Sequence, residues 1–339
     1  MNLNTVFDCF IVFFAIFAVA SFVLRNKQLL ADVPFSKDYS LIGKGVAITL
    51  VVFSHIGNVM NIRYLAPFGG SGVAMFLILS GYGINESWKK NGYKNYWKKR
   101  LIGVYFPYLF IEIITLPIRG GYDSPLELLL DLTAIRSQYF LGWYVKFQFF
   151  MYLLFYLIMR FVRDKKIRCS LWCIIGFIIL LSPNMLYGRQ AFTFAFGVLL
   201  SEYKSCFVLL KQKKVFVLIG MLAVVLLCVK QIPIVRTTPV VIQNTIDMVM
   251  STGFAVFILF LINVVHRQLL VPLYYLGIVS YEMYLTHGYT LRLFKLDFSF
   301  RVVNGLLFFA LTIVVAVVLH LVIKLIQNKL SSVLKRDYL

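Results

Sequence analysis

Two residues that can do chemistry, Lys44 and His55, lie within one apolar stretch, residues 41–60 (LIGKGVAITLVVFSHIGNVM). An α-helix rises about 1.5 Å per residue, so the imidazole would lie roughly 16 Å beyond the lysine along the axis. Eleven residues at about 100° each return to nearly the same side, so Lys44, Ile48, Val52 and His55 share one stripe. Histidine exchanges protons near neutral pH, and an ionisable group inside a membrane is a candidate functional residue.

A second histidine ends the segment LGIVSYEMYLTH, residues 276–287. Helical spacing places Gly277, Ser280, Tyr284 and His287 on one face. Glu282 is about 200° around the helix from Ser280, so we expect it to pair with another helix. For both histidines two interpretations are open, a proton-transfer group or a side chain that only hydrogen-bonds to a neighbouring helix.

Other polar residues interrupt apolar segments at a comparable predicted depth. Glu112 is one, and Lys146 and Gln148 follow Trp143 and Tyr144 at the start of another segment. A structural role is open for these as well, because Trp and Tyr favour membrane interfaces and lysine can extend its ammonium group to water.

Composition defines the class of protein. Sixty per cent of the 339 residues are hydrophobic, 14% are charged, and the mean hydropathy is +0.84. A soluble domain contains about 25% charged residues, so a soluble fold is excluded. We predict an all-α, polytopic transmembrane bundle of about eleven helices. The predicted spans are 7–24, 41–60, 70–86, 101–117, 143–161, 169–187, 190–203, 214–230, 245–264, 272–291 and 302–326.

The net charge of +20 reports membrane topology. About two thirds of the 34 Lys and Arg residues follow odd-numbered predicted helices or lie in the C-terminal tail, where the positive-inside rule indicates cytosol. The N-terminus is then outside, the C-terminus is cytosolic, and the first helix is expected to be uncleaved. Lys44 would lie at the cytosolic mouth, and both histidines in the outer half of the membrane.

This charge pattern favours membrane lipids as partners and argues against nucleic acid. The five cysteines lack metal-ligand spacing, and no metal site is predicted.

Four segments together resemble the acyltransferase-3 family of integral membrane acyltransferases. They are GKGVAITLVVFSH, GGSGVAMFLILSGYGI followed by KKRLIGVYFPY, LGWYVKFQFFMYLLFY, and LGIVSYEMYLTH. Their order and spacing are those of the family, from about residue 41 to residue 290. The resemblance implies a membrane domain over residues 41–330, which contains a ten-helix core. Residues 1–40 would add an extra helix and a cytosolic linker, and 331–339 a cytosolic tail.

Two positions depart from the family pattern. Lys44 stands where an arginine is expected, which keeps the charge but loses the planar group that grips phosphate. Arg100 matches the first of two arginines, whereas Gly103 stands at the second position, and Lys98 and Lys99 supply charge nearby.

The resemblance implies an O-acyltransferase of the cell (cytoplasmic) membrane. It would move an acyl group, usually acetyl, from cytosolic acyl-CoA to a hydroxyl of a cell-envelope glycan or lipid-linked glycan, with no tightly bound cofactor. His55 would be the general base or a transient acyl carrier. The implied donor site comprises Lys44, Lys98, Lys99 and Arg100. His287 would be the second catalytic residue and, with Tyr284, would orient the acceptor or stabilise the oxyanion. The acceptor or oxyanion site would comprise Tyr284, Ser280, Glu112, Lys146 and Trp143.

A polytopic transporter or flippase of an envelope glycan or small solute is the alternative. Buried Glu112, Lys146, His55 and His287 would then form a proton relay or a substrate path. No convincing internal repeat of the kind many transporters carry is present in the sequence.

Overall fold

The computed structural model describes residues 35–59, 65–120, 122–135, 142–205, 210, 212–294 and 301–336. These residues are helical or lie in short turns, and none is in a β-strand. The predicted all-α class is therefore confirmed. The predicted helix 7–24 lies outside the described residues.

The helices are numbered here in chain order. The first eight are α1 (Lys37–Val59), α2 (Ala66–Asn91), α3 (Tyr96–Arg100), α4 (Phe106–Ile114), α5 (Leu116–Arg119), α6 (Pro125–Leu132), α7 (Trp143–Phe161) and α8 (Lys165–Leu180). The others are α9 (Met185–Gly188), α10 (Thr193–Glu202), α11 (Lys213–Val229), α12 (Pro233–Arg236), α13 (Val240–Leu261), α14 (Arg267–Ile278), α15 (Ser280–Phe294) and α16 (Arg301–Arg336). A π-helical turn, Leu101–Tyr105, joins α3 to α4.

Five of the described helices, α1, α2, α7, α13 and α16, are long and apolar enough to cross a membrane. The pair α14 and α15 would make a sixth span if the two helices cross together, and α11 is apolar but shorter. The predicted number of about eleven spanning helices is therefore not confirmed.

Two predicted helices are interrupted. The predicted span 101–117 begins with the π-helical turn and ends at Ile114, with a separate turn of helix after it. Pro107 has no N–H for the carbonyl one turn back and its ring crowds that turn, which explains the irregular start. The predicted span 272–291 is divided at Val279 into α14 and α15. Gly277 therefore does not share the predicted face, whereas Ser280, Tyr284 and His287 lie on the one helix α15 at the predicted spacing.

The described residues form two compact units. The first unit comprises the described parts of Met1–Lys90 and Phe147–Ile278. The second comprises those of Asn91–Lys146 and Val279–Leu339. The division of the chain falls within α7 and at the break between α14 and α15.

Glycines bring α1 and α14 into backbone contact within the first unit. A Cβ atom on Gly45 would overlap the carbonyl of Leu273, and one on Gly277 would overlap the carbonyl of Leu41. Close approach of this kind is how helices pack in membranes, because apolar side chains gain little there from leaving lipid. The contact fixes the part of α1 that carries Lys44.

Charged side chains join the ends of α2, α8 and α10 in the same unit. Lys89 Nζ donates to the carbonyl of Ser201 at 2.5 Å, and Asn85 Nδ2 donates to Glu202 Oε1 at 2.7 Å. Lys165 Nζ donates to the carbonyl of Glu202 at 2.9 Å. Basic residues that the sequence marks as topology signals thus also hold the ends of helices together.

We expect Gly277→Ala to lower the stability of the protein by about 1–3 kcal/mol, because the new methyl group meets backbone that has no room to move. The matched control is Gly83→Ala, since no atom lies within 4 Å of a Cβ at that exposed helical position. Thermal unfolding in detergent should show a lower Tm for the first variant alone. Equal Tm values for the two variants would contradict the close contact.

Candidate active site

The stripe of α1 that carries Lys44 and His55 faces protein. Ile48 and Val52, which lie between them on the stripe, are both 0% exposed, while Lys44 and His55 at its two ends are half-buried. The predicted stripe therefore faces protein and not lipid. Among the described residues, no carboxylate pairs with Lys44.

The end of α1 that carries His55 packs against the beginning of α2. Ser54 Oγ donates to the carbonyl of Ala66 at 3.0 Å, and a Cβ atom on Gly69 would lie 2.6 Å from the same Oγ. The glycine thus makes room for Ser54, and the first turns of α2 lie beside the imidazole-bearing turn of α1.

The small residues in the middle of α2 serve two purposes. A Cβ atom on Gly81 would overlap the carbonyl of Phe194, so α2 and α10 approach each other closely there. Ser80 Oγ accepts a hydrogen bond from Gln148 Nε2 at 2.9 Å and lies 3.0 Å from the hydroxyl of Tyr152. These contacts give Ser80 a place in a polar network inside the first unit, and Gln148 is 2% exposed.

A chain of aromatic rings leads to His287 in the second unit. The ring of Tyr284 lies 5.8 Å from that of His287 and 4.8 Å from that of Tyr144, and Tyr144 contacts Trp143 at 6.3 Å. His287 Nδ1 lies 3.1 Å from the carbonyl of Met283. Because a carbonyl oxygen only accepts, Nδ1 carries the proton, and Nε2 is the basic nitrogen of the neutral ring.

Three of the four predicted donor-binding cations lie on α3. Lys98 and Lys99 are exposed, whereas Arg100 is half-buried. The guanidinium of Arg100 lies 4.4 Å from the centre of the Tyr96 ring and donates to the Tyr96 carbonyl at 3.2 Å. Arg100 is therefore held in place, and the two lysines extend into solvent.

The π-helical turn that follows these cations is held by two other helices. Its wider winding and the missing N–H of Pro107 leave carbonyl groups that need donors from elsewhere. Tyr281 Oη, on α15, donates to the carbonyl of Val104 at 2.9 Å. Gln327 Nε2, on α16, donates to the carbonyl of Ile102 at 2.8 Å. The turn next to the cations is thus attached to the helix that carries Tyr284 and His287.

Glu282 pairs with another helix, as predicted. His320 Nδ1, on α16, lies 2.9 Å from Glu282 Oε1, and Glu282 is 5% exposed. A buried carboxylate is costly unless it is hydrogen-bonded, so this contact fixes α15 against α16.

The four remaining predicted site residues also belong to the second unit. Glu112 on α4 and Ser280 at the start of α15 are buried, and Trp143 and Lys146 in the first turn of α7 are half-buried. The structure therefore brings Trp143, Tyr284 and His287 into one aromatic group, while Lys44 and His55 belong to the first unit. No group of three or more His, Cys, Asp or Glu among the described residues could hold a metal ion.

Sequence reasoning missed His320, Tyr281 and Gln327. His320 could have been noticed, because it is the one ionisable residue between Arg301 and Lys324. Tyr281 and Gln327 carry no such signal, since a tyrosine and a glutamine near the ends of helices are common.

Several apolar helices of membrane-spanning length, with lysines and histidines inside them, define the class as a multi-pass membrane protein. Residues 39–324 match the family model of acyltransferase-3, described as an acyltransferase domain, and the chain belongs to that family. It is therefore a membrane acyltransferase. No curated protein and no solved structure matches the chain.

A double-mutant cycle on Glu282→Gln and His320→Gln tests the contact between α15 and α16. We expect each variant to lower the free energy of unfolding by about 1–3 kcal/mol, because each leaves a buried polar partner unmatched. The double variant should lose less than the sum, with a coupling energy of about 0.5 kcal/mol or more. The control is His266→Gln at an exposed histidine. Additive effects in thermal unfolding would contradict the pair.

Proposed function

We propose that the protein is a membrane O-acyltransferase that moves an acyl group, acetyl being the expected one, from acyl-CoA to a hydroxyl of a cell-surface polysaccharide or lipid-linked glycan. The observation that carries the proposal is the position of Lys44 and His55 at the two ends of one protein-facing stripe of α1. Membership of the acyltransferase-3 family supports the reaction class.

On this proposal the donor's phosphates stay at the cytosolic surface. A lysine ammonium with no carboxylate partner among the described residues favours an anion, and this supports Lys44 as one contact. Lys98, Lys99 and Arg100 would supply the others. Arg100 is half-buried and held against Tyr96, which would lower the cost of ordering it when the donor binds.

The chemical step needs one base and one site for developing negative charge. As general base, the His55 imidazole takes the proton from the acceptor hydroxyl, and the hydroxyl oxygen attacks the thioester carbonyl. The tetrahedral intermediate collapses, the carbon–sulfur bond breaks, and the proton passes from the imidazolium to the departing sulfur. In the alternative order, the acyl group moves first to the imidazole and then to the acceptor.

Tyr284 and His287 would orient the acceptor or stabilise the oxyanion. A tyrosine hydroxyl donates a hydrogen bond to an oxyanion, and His287 Nε2 accepts one from a sugar hydroxyl. The ring contacts with Tyr144 and Trp143 would keep both groups in place, and Ser280, Glu112 and Lys146 would complete the polar surroundings. The protein would lie in the cytoplasmic membrane with its N-terminus outside and its C-terminus in the cytosol.

His55→Gln tests the base directly, since glutamine keeps the size and polarity of the side chain but takes up no proton. We expect acyl transfer to fall by about 10²-fold or more, because proton transfer by a positioned side chain contributes that much. Wild type and variant are expressed in a host whose surface glycans are analysed for ester-linked acyl groups by mass spectrometry.

The control for that experiment is His266→Gln, which removes an exposed histidine and should acylate like wild type. Equal acylation by the His55 variant would remove His55 from the mechanism. An acceptor that crosses the bilayer without any modification would favour a transporter or flippase instead.

Exchange of Lys98 and Lys99 for glutamine tests the donor site. We expect the KM for acyl-CoA to rise about tenfold and to depend less on salt, because exposed cations attract phosphate through screened electrostatic interactions. A donor without the 3′-phosphate should be affected less than intact acyl-CoA if these lysines bind that group. The control is Lys214→Gln, an exposed lysine of the first unit. An unchanged KM would remove this pair of lysines from the donor site.

A further inference from the structure

A half-buried glycine near the beginning of α2, Gly70, is surrounded by three polar residues of the first unit. Gln190 Nε2 donates to the carbonyl of Gly70 at 2.9 Å. A Cβ atom on Gly70 would lie 3.8 Å from Ser251 Cβ and 4.0 Å from Arg189 Cδ, so the space beside it is open to a small group. Ser251 Oγ lies 3.4 Å from the carbonyl of Arg189 and at the same distance from that of Met248.

Gln190 has a hydrogen-bond acceptor that the described part of the chain leaves unused. Gln190 is 0% exposed, and no donor among the described residues reaches its Oε1. Exchanging the positions of Oε1 and Nε2 would not remove the unmatched group, because the Gly70 carbonyl needs the N–H of the amide. A buried acceptor without a donor is costly, so the site favours a ligand that brings one.

Arg189 supplies a cation next to this acceptor. Its Nε donates to the carbonyl of Met185 at 2.9 Å, which fixes the direction of the side chain. Among the described residues no carboxylate pairs with the guanidinium, which is half-buried. A fixed guanidinium of this kind binds phosphate or carboxylate through charge-assisted hydrogen bonds.

The group lies close to the His55 end of α1. Gly69, which precedes Gly70, is the residue that packs against Ser54, and Ser54 precedes His55. The Gln190 amide and the Arg189 side chain therefore lie beside the residue that follows the contact between α1 and α2.

We propose that Gln190, Arg189 and Ser251 around Gly70 form a binding subsite for an anionic saccharide acceptor. A sugar hydroxyl donates to Gln190 Oε1, and a phosphate or carboxylate of the same molecule pairs with Arg189. The subsite rests on the proposed function and deepens it, because it assigns the acceptor a charge and a place beside His55. Phosphate and uronate share the chemistry that Arg189 recognises, and the experiment separates them.

The test uses the purified full chain in detergent with acetyl-CoA and three oligosaccharides, one neutral, one containing uronate and one carrying a phosphate. We expect wild type to prefer one of the two anionic acceptors. Gln190→Met and Gly70→Ala should each raise the KM for that acceptor about tenfold with the KM for acetyl-CoA unchanged, since one removes the acceptor oxygen and the other fills the space. Arg189→Gln should abolish the preference for the anionic over the neutral saccharide.

The control is Gly83→Ala, which makes the same change in the same helix where no atom lies within 4 Å. Unchanged acceptor KM values in an active protein, or no preference for either anion, would overturn the subsite and leave the acyltransferase intact. If wild type transfers no acyl group, the subsite is tested by measuring the binding of the same saccharides by calorimetry. Binding that Gln190→Met weakens supports the subsite without the proposed function, and absence of binding overturns it.

Discussion

The contact on which the first unit depends is the backbone-to-backbone approach of α1 and α14 at Gly45 and Gly277. Membrane helices cannot gain much by burying apolar side chains against each other, so their distance is set by van der Waals contact and hydrogen bonds. At these two glycines the helices are too close to admit a Cβ atom, and each glycine meets a carbonyl of the other helix. The register of α1 is thereby fixed beside Lys44. With Ile48 and Val52 sealed in protein, His55 follows at the other end of the same stripe.

In the second unit, hydrogen bonds made by side chains hold the helices in position. The π-helical turn offers carbonyl groups that Tyr281 and Gln327 bind, and Glu282 pairs with His320 two helical turns from Gln327. Polar groups in a membrane are retained where they bind one another, and these contacts join α15, α16 and the turn after Arg100. The aromatic group around His287 is built on α15, so its position depends on the same contacts.

The sequence predicts most helices well and their interruptions poorly. The predicted span 143–161 coincides with α7 because an apolar run with Trp143 at one end and Arg160 near the other has clear limits. The break at Val279 and the π-helical turn beside Pro107 are local features, which an average over apolar residues does not detect. Partners such as Tyr281 and Val104 are 177 positions apart in the chain, and no periodicity connects them.

The candidate site, too, can be predicted only in part from the sequence. Helical period alone places Lys44 and His55 on one stripe, and the buried positions between them agree with it. Arg189 and Gln190 escape notice in the sequence because a short polar stretch between apolar segments looks like an ordinary loop. Only the folded chain shows that Gln190 is buried and lies against Gly70.

The length of α16 has a consequence for the depth of the proposed donor site. Thirty-six residues extend about 54 Å, whereas the hydrocarbon layer is only about 30 Å thick, so this helix must project from it. Exposed Lys329 favours the headgroup level, and Gln327 lies half a turn before it. Since Gln327 binds Ile102, the turn after Arg100 is held level with the end of α16 that carries Lys329. The donor site proposed above would then lie near the lipid headgroups, where a polar donor can reach it.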